Sequence, residues 1–249
     1  MSNFPVANFH KLNTLDIDMN NQVIDFNPVL LDRLNCNTLT AIRNAFDRAA
    51  LIWINGMCYL EAREIKHLLR TGNSGAHNIY IQQGIQGYVS SSETYNIDNK
   101  AYISGPDFSG ILDARINSTF GKTHLYLRYV RSLYQAIMSS SVVGDLRVSF
   151  MSEINDKRSE LKSRRILLKG IRSCEFSGRV FSSESEVQFA HVESVTSSPL
   201  QALNIENGVI ILMSIHAELT RLGIHDFAGM YDFCINNSYS TVWADNYNL

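Results

Sequence analysis

No uninterrupted apolar run in this chain comes near the ~20 residues that a membrane-crossing helix requires, so no spanning segment is expected. The opening MSNFPVANFHKLNTLDID lacks a basic stretch followed by an apolar core, and no signal peptide is expected. Cysteine is scarce. Cys36, Cys58, Cys174 and Cys234 lie far apart, and none belongs to a C-x-x-C pair. A structural zinc held by paired cysteines is therefore not expected, and the four read as reduced thiols of a cytoplasmic protein. Also missing are a P-loop, a GxGxxG after a strand and an HExxH, which removes the usual signals for nucleotide-phosphate loops, dinucleotide binding and zinc proteolysis. GPDFSG lacks the spacing of a nucleophile elbow, so Ser109 reads as a turn or cap residue. Internal repeats and low-complexity tracts are absent too.

What is present is the composition of a globular protein with a substantial core: 45% apolar and 18% charged residues over 249 positions. The length suits one large domain or two modest ones. We divide the chain into an N-terminal α+β domain over 1–150, for DNA binding or dimerisation, and a C-terminal region over 151–249. The net charge of −2 conceals an asymmetry. From Lys157 to Arg172, KRSELKSRRILLKGIR carries seven basic residues and one acid. From Arg179 onward there are two basic residues against eight acids. A basic segment of this kind would grip a phosphate backbone, with Lys162, Arg164, Arg165, Lys169 and Arg179 as candidate contacts. The alternative is a solvated helix face.

The pattern of apolar residues predicts a helix over NTLTAIRNAFDRAALIWI from Asn37, capped by Asn37 or Thr38, and a second from Glu61 to Arg70 stopped by Gly72. NIYIQQ, GYVSS and KAYIS read as strands of a small sheet, and QVIDF as an edge strand. A mostly helical run follows from Gly110 to about Ser139, in which Arg115, Lys122, Arg128 and Arg131 alternate with Tyr126, Tyr129 and Tyr134. That mixture suits nucleic acid, but an amphipathic helix burying its tyrosines is the favoured reading. LRVSFMSEI, from Leu146, reads as a strand.

The densest chemistry lies between Gln188 and Leu219, QFAHVESVTSSPLQALNIENGVIILMSIHAEL. His191 closes an alternating strand, Asn207 follows sixteen residues later in an Asn-Gly step, and His216 comes nine residues after that. CEFSGRVF reads as a first strand and SEVQFAHV as a second. A polar loop then leads to the helix-like NGVIILMSIHAELTRL. This order, with the phrases AHV and NGV…H, resembles the HNH (ββα-metal) nuclease family over about residues 172–225.

The resemblance implies an α+β fold with a C-terminal ββα-metal module, and metal-dependent hydrolysis of DNA phosphodiesters by an endonuclease of restriction, homing or phage type. His191 would be the general base, since a neutral imidazole can take a proton from water near pH 7. His216 would hold Mg²⁺ or Mn²⁺, and Asn207 would tie the loop to the strand and orient the base. Arg179 or Lys169 would touch the scissile phosphate. DNA is the implied partner, and cutting both strands leaves room for a homodimer. Two positions depart from the family pattern. Ala190 stands where a metal ligand often precedes the base, and Thr220 where a second ligand follows the last histidine. Glu193, Glu218, His225 and Asp226 are the nearby substitutes, with His225 and Asp226 preferred. If none serves, the chain is a non-catalytic nucleic-acid-binding protein with a degenerate HNH fold. A structural or partner-binding protein with an accidental match is the third reading.

Overall fold

Asn35 starts the first long helix because its side-chain oxygen accepts from the Asn37 and Thr38 amides, two of the donors that a helix start leaves without partners. In the structure, a computed structural model that describes residues 8–20, 24–198, 201–245 and 247, the chain forms two compact units, Met1–Phe150 and Met151–Leu249. The first begins with β1 (Phe9–Lys11), a 3-10 turn at Leu12–Leu15 and the single-turn α1 (Pro28–Leu31). Gln22 and Val23 of the expected edge strand lie outside the described residues, and Ile24–Phe26 form no strand. The helix capped by Asn35 is α2 (Cys36–Ala49), which buries Ile42, Ala45, Phe46 and Ala49 along one stripe.

The expected continuation of this helix to Ile54 is wrong. ALIW forms β2 (Ala50–Trp53), which pairs with β3 (Cys58–Glu61) across a turn that Gly56 enters at φ +71°. β-Branched and aromatic residues with a partner strand outweigh helical continuity. For the same reason Glu61 belongs to a strand, and the second expected helix shrinks to α3 (Ile65–Leu68). NIYIQQ is not a strand but most of α4 (Ala76–Gln83), with His77 and Ile81 buried one turn apart. GYVSS contributes only an isolated bridge, Ile85 with Val89. β4 (Tyr95–Ile97) and β5 (Lys100–Ser104) enclose Asp98 and Asn99, both at positive φ, as a tight two-residue hairpin requires. KAYIS is thus a strand where the sequence places one.

The sheet is antiparallel throughout, in the order β1-β2-β3-β5-β4. Against it pack α2 and α5 (Gly105–Asn117), and α6 (Gly121–Met138) packs on those two helices, with Phe46, Leu60, Ile103, Phe108 and Leu127 at the centre. α5 and α6 replace the single helical run expected from Gly110. The chain breaks over Ser118–Phe120, and Gly121 follows at φ +63°. Ser104 caps α5, and Ser109 lies inside it. Tyr129 is fully buried, and Tyr126 and Tyr134 pack on the core, so the tyrosines face inward. The expected strand from Leu146 is part of α7 (Ser141–Arg158). Val143, Leu146 and Ile154 are turned inward at helical spacing, whereas Val148, central to the strand reading, is 71% exposed.

In the second unit come α8 (Leu161–Lys169), β6 (Val187–His191), β7 (Gly208–Leu212), α9 (Met213–Leu222), α10 (Phe227–Asn236) and α11 (Val242–Asp245). β6 and β7 form an antiparallel pair in which His191 faces Gly208. The strand assignments of the sequence reading shift by one element. CEFSGRVF is a turn closed by a single bridge, Ser173 with Val180, and GVIIL is a strand rather than the start of a helix. Val209, Ile210 and Ile211 are buried on both faces of the hairpin, which favours an extended chain. The hairpin and α9 share a core with Cys174, Phe176, Met230, Phe233 and Trp243.

Candidate active site

Strand, loop, strand and helix place the three motif residues in sequence order. His191 ends β6, Asn207 immediately precedes β7, and His216 lies in the second turn of α9. His191, His216 and His225 line one cavity of about 380 Å³, together with Arg158, Phe189, Ser194, Thr196, Leu219, Thr220 and Met230.

His191 is held from two directions. Its ring meets Phe189 edge-on at 5.0 Å between centroids. Its Nε2 lies 2.8 Å from the Ala202 carbonyl oxygen, which can only accept, so Nε2 carries the hydrogen and Nδ1 keeps a free lone pair. Burial pushes the His191 pKa below its ordinary value. The Ala202 contact opposes this shift, and the charge of Arg158 and the neighbouring His216 add to it. His216 is lowered as well, first by burial and then by Arg158. Both imidazoles are therefore neutral near pH 7.

Asn207 is fully buried and uses its whole amide. Oδ1 accepts from the Glu193 amide at 2.8 Å and from the Tyr247 hydroxyl at 3.3 Å. Nδ2 donates to the carbonyls of Glu193, at 3.0 Å, and Gln201, at 3.2 Å. One side chain thus closes the base of the loop between the strands, and Ala202, which orients His191, belongs to that loop. Gly208 completes the arrangement, because a Cβ there would overlap the Phe189 ring.

The other sequence candidates divide sharply. Asp226 does not line the cavity; its Oδ1 accepts from Gly229 N at 2.7 Å as the N-cap of α10. Glu193 accepts from Phe227 N at 3.2 Å. Glu218 lies 3.9 Å from Arg221. Among the described residues, no three His, Cys, Asp or Glu side chains converge as a metal-binding group. Ala190 is 4% exposed and packs in the hydrophobic core, so its methyl has a structural task. Thr220 hydrogen-bonds to the His216 carbonyl.

The basic candidates are less uniform than their clustering suggests. Arg165 is buried and engages Glu175 through two nitrogens, at 3.1 and 2.8 Å, while its third donates to Ile205 O at 2.7 Å. It braces the fold and is not offered to solvent, which corrects its assignment as a phosphate contact. Glu175 in turn accepts from Ile210 N, linking α8 to β7. Lys169 pairs with Glu206 at 2.7 Å, and Lys162 donates to Glu184 O at 2.8 Å. Arg164 and Arg179 are exposed. Arg158, which the sequence reading does not single out, lines the cavity. It belongs to the same basic run, but nothing in its spacing places it beside two histidines more than thirty residues away.

No family model, curated protein or solved structure matches this chain.

Proposed function

We propose that the second unit is a metal-assisted phosphodiesterase of the ββα-metal kind, acting on DNA. The observation that carries this reading is His191. It is a neutral imidazole with its proton fixed on Nε2 by a backbone carbonyl, and it shares a cavity with a second neutral imidazole at the spacing the HNH motif requires. In the proposed step, Nδ1 of His191 takes a proton from water as the water oxygen bonds to phosphorus. The bond from phosphorus to the leaving sugar oxygen breaks, and that oxygen is protonated from solvent.

The described residues offer a thin donor set for Mg²⁺ or Mn²⁺, imidazole nitrogens and no carboxylate, where such ions favour oxygen. His216 and His225 line the cavity without a hydrogen bond from any described residue to either ring, and they would hold Mg²⁺ or Mn²⁺. The other positions of the ion would be filled by phosphate oxygens and water, a common arrangement for Mg²⁺. Such an ion would offset charge on the non-bridging and leaving oxygens. Asn207 holds the loop, Ala202 fixes the tautomer, and Phe189 limits rotation of the base. Because fewer than three protein donors converge and Ala190 is part of the core, a DNA-binding protein that does not cut is the second reading.

Plasmid nicking separates the two. Cutting should require Mg²⁺ or Mn²⁺ and stop in chelator. His191→Ala should lower the rate by ~10²–10⁴ while leaving DNA affinity nearly unchanged. Wild-type protein that binds DNA but never nicks it would establish the second reading; a His191→Ala variant that cuts normally would remove the first.

A further inference from the structure

Arg158 closes α7 and lines the same cavity as His191 and His216, yet it lies outside the strand-loop-strand-helix motif. Its neighbours on the basic run are mostly committed: Lys157 to Glu153, Lys162 to Glu184, Arg165 to Glu175 and Lys169 to Glu206. Arg158 is exposed, and among the described residues it has neither a carboxylate in ion-pair contact nor a hydrogen-bond acceptor. A guanidinium without a counter-charge, set beside two neutral imidazoles, makes the cavity electropositive and ready for an anion. The cavity's remaining polar lining, Ser194, Thr196, Thr220 and His225, contributes no carboxylate.

We propose that Arg158 is a phosphate-binding catalytic residue, which seats the scissile phosphodiester between His191 and His216 and neutralises the charge that builds on its non-bridging oxygens. A planar guanidinium can give two parallel N–H bonds to a phosphate, whereas an ammonium acts as a point charge. The inference rests on the phosphodiesterase reading. It adds to that reading a binding group for the anion, which the motif's own histidines, as base and metal ligand, do not supply.

The test compares wild type, Arg158→Ala, Arg158→Lys and His191→Ala on a short DNA duplex. Cleavage is followed with Mg²⁺, and binding is followed in chelator over a range of salt. Arg158→Ala is expected to cut ~10²–10³-fold more slowly, the loss seen on removing one well-placed anion donor. Its slope of log K against log salt should shrink by ~0.9, one duplex phosphate contact. Arg158→Lys should restore the slope but only part of the rate. The NMR titrations of His191 and His216 should both move to higher pH in Arg158→Ala, a check that the guanidinium faces them. Wild-type cutting by Arg158→Ala, or an unchanged salt slope, overturns the proposal. If no variant, wild type included, cuts DNA, the hydrolase reading fails on its own. In that case the salt slope still decides whether Arg158 binds phosphate.

Discussion

Replacing Asn207 with alanine should cost several hydrogen bonds at once, because the side chain is fully buried and all four of its hydrogen-bonding positions are used. The substitution leaves the Glu193 amide and the carbonyls of Glu193 and Gln201 without their partner. Each such bond is worth about 1 kcal/mol net, and more where the abandoned group stays dry. Three well-formed bonds and the longer one to Tyr247 therefore give a loss of about 3–4 kcal/mol. That is a large part of the roughly 5–15 kcal/mol by which a domain is stable. The loss should also reach the chemistry. Once the loop is unclamped, the Ala202 carbonyl no longer fixes the His191 proton on Nε2, and the fraction of base in the reactive tautomer falls. Because the chain has two units, a single melting curve would mix their transitions. Hydrogen exchange at the β7 amides Val209 to Leu212, measured over a urea series, isolates the second unit. Asn207→Asp is the sharper companion: it keeps the acceptors but removes both donors and buries a charge. A loss below about 1 kcal/mol in the alanine variant, or a His191 tautomer unchanged by nitrogen NMR, would refute the reasoning.

Arg165→Ala should destabilise the second unit by about 3–5 kcal/mol, since it strands the partly buried Glu175. Arg164→Ala on the exposed side of the same helix should stay within about 0.5 kcal/mol and instead weaken DNA binding. Equal effects on hydrogen exchange of the β7 amides over a urea series would undo the distinction. Burial lowers the pKa of His77, His191 and His216, so each takes up a proton more readily in the unfolded chain. Their contribution to stability is complete above the ordinary histidine value of about 6.5 and is lost as the pH falls through the lower folded values. The urea midpoint should thus drop between pH 7.5 and pH 5, and His216→Asn should reduce the drop for the second unit. A midpoint that rises on acidification contradicts the assignment of neutral, buried imidazoles.

The sequence by itself determined the mixed α+β character, the strand at KAYIS and the spacing of His191, Asn207 and His216, because these depend on local pattern and chain order. It also placed a polar loop before an Asn-Gly step, where a clamp and a side chain-free position are both needed. Tertiary structure decided the rest. ALIW and GVIIL, both read as helix, became strands because each found a partner strand, a pairing that no local window contains. LRVSFMSEI alternates as a strand would, yet packing chose the helical face that buries Val143 and Ile154 and leaves Val148 in solvent. The basic run looked uniform in one dimension. Only the fold turned Arg165 inward to Glu175, paired Lys169 with Glu206, and left Arg158 beside the histidines with no carboxylate in ion-pair contact among the described residues. Charge is a property of the residue, whereas the partner that neutralises it is a property of three-dimensional packing.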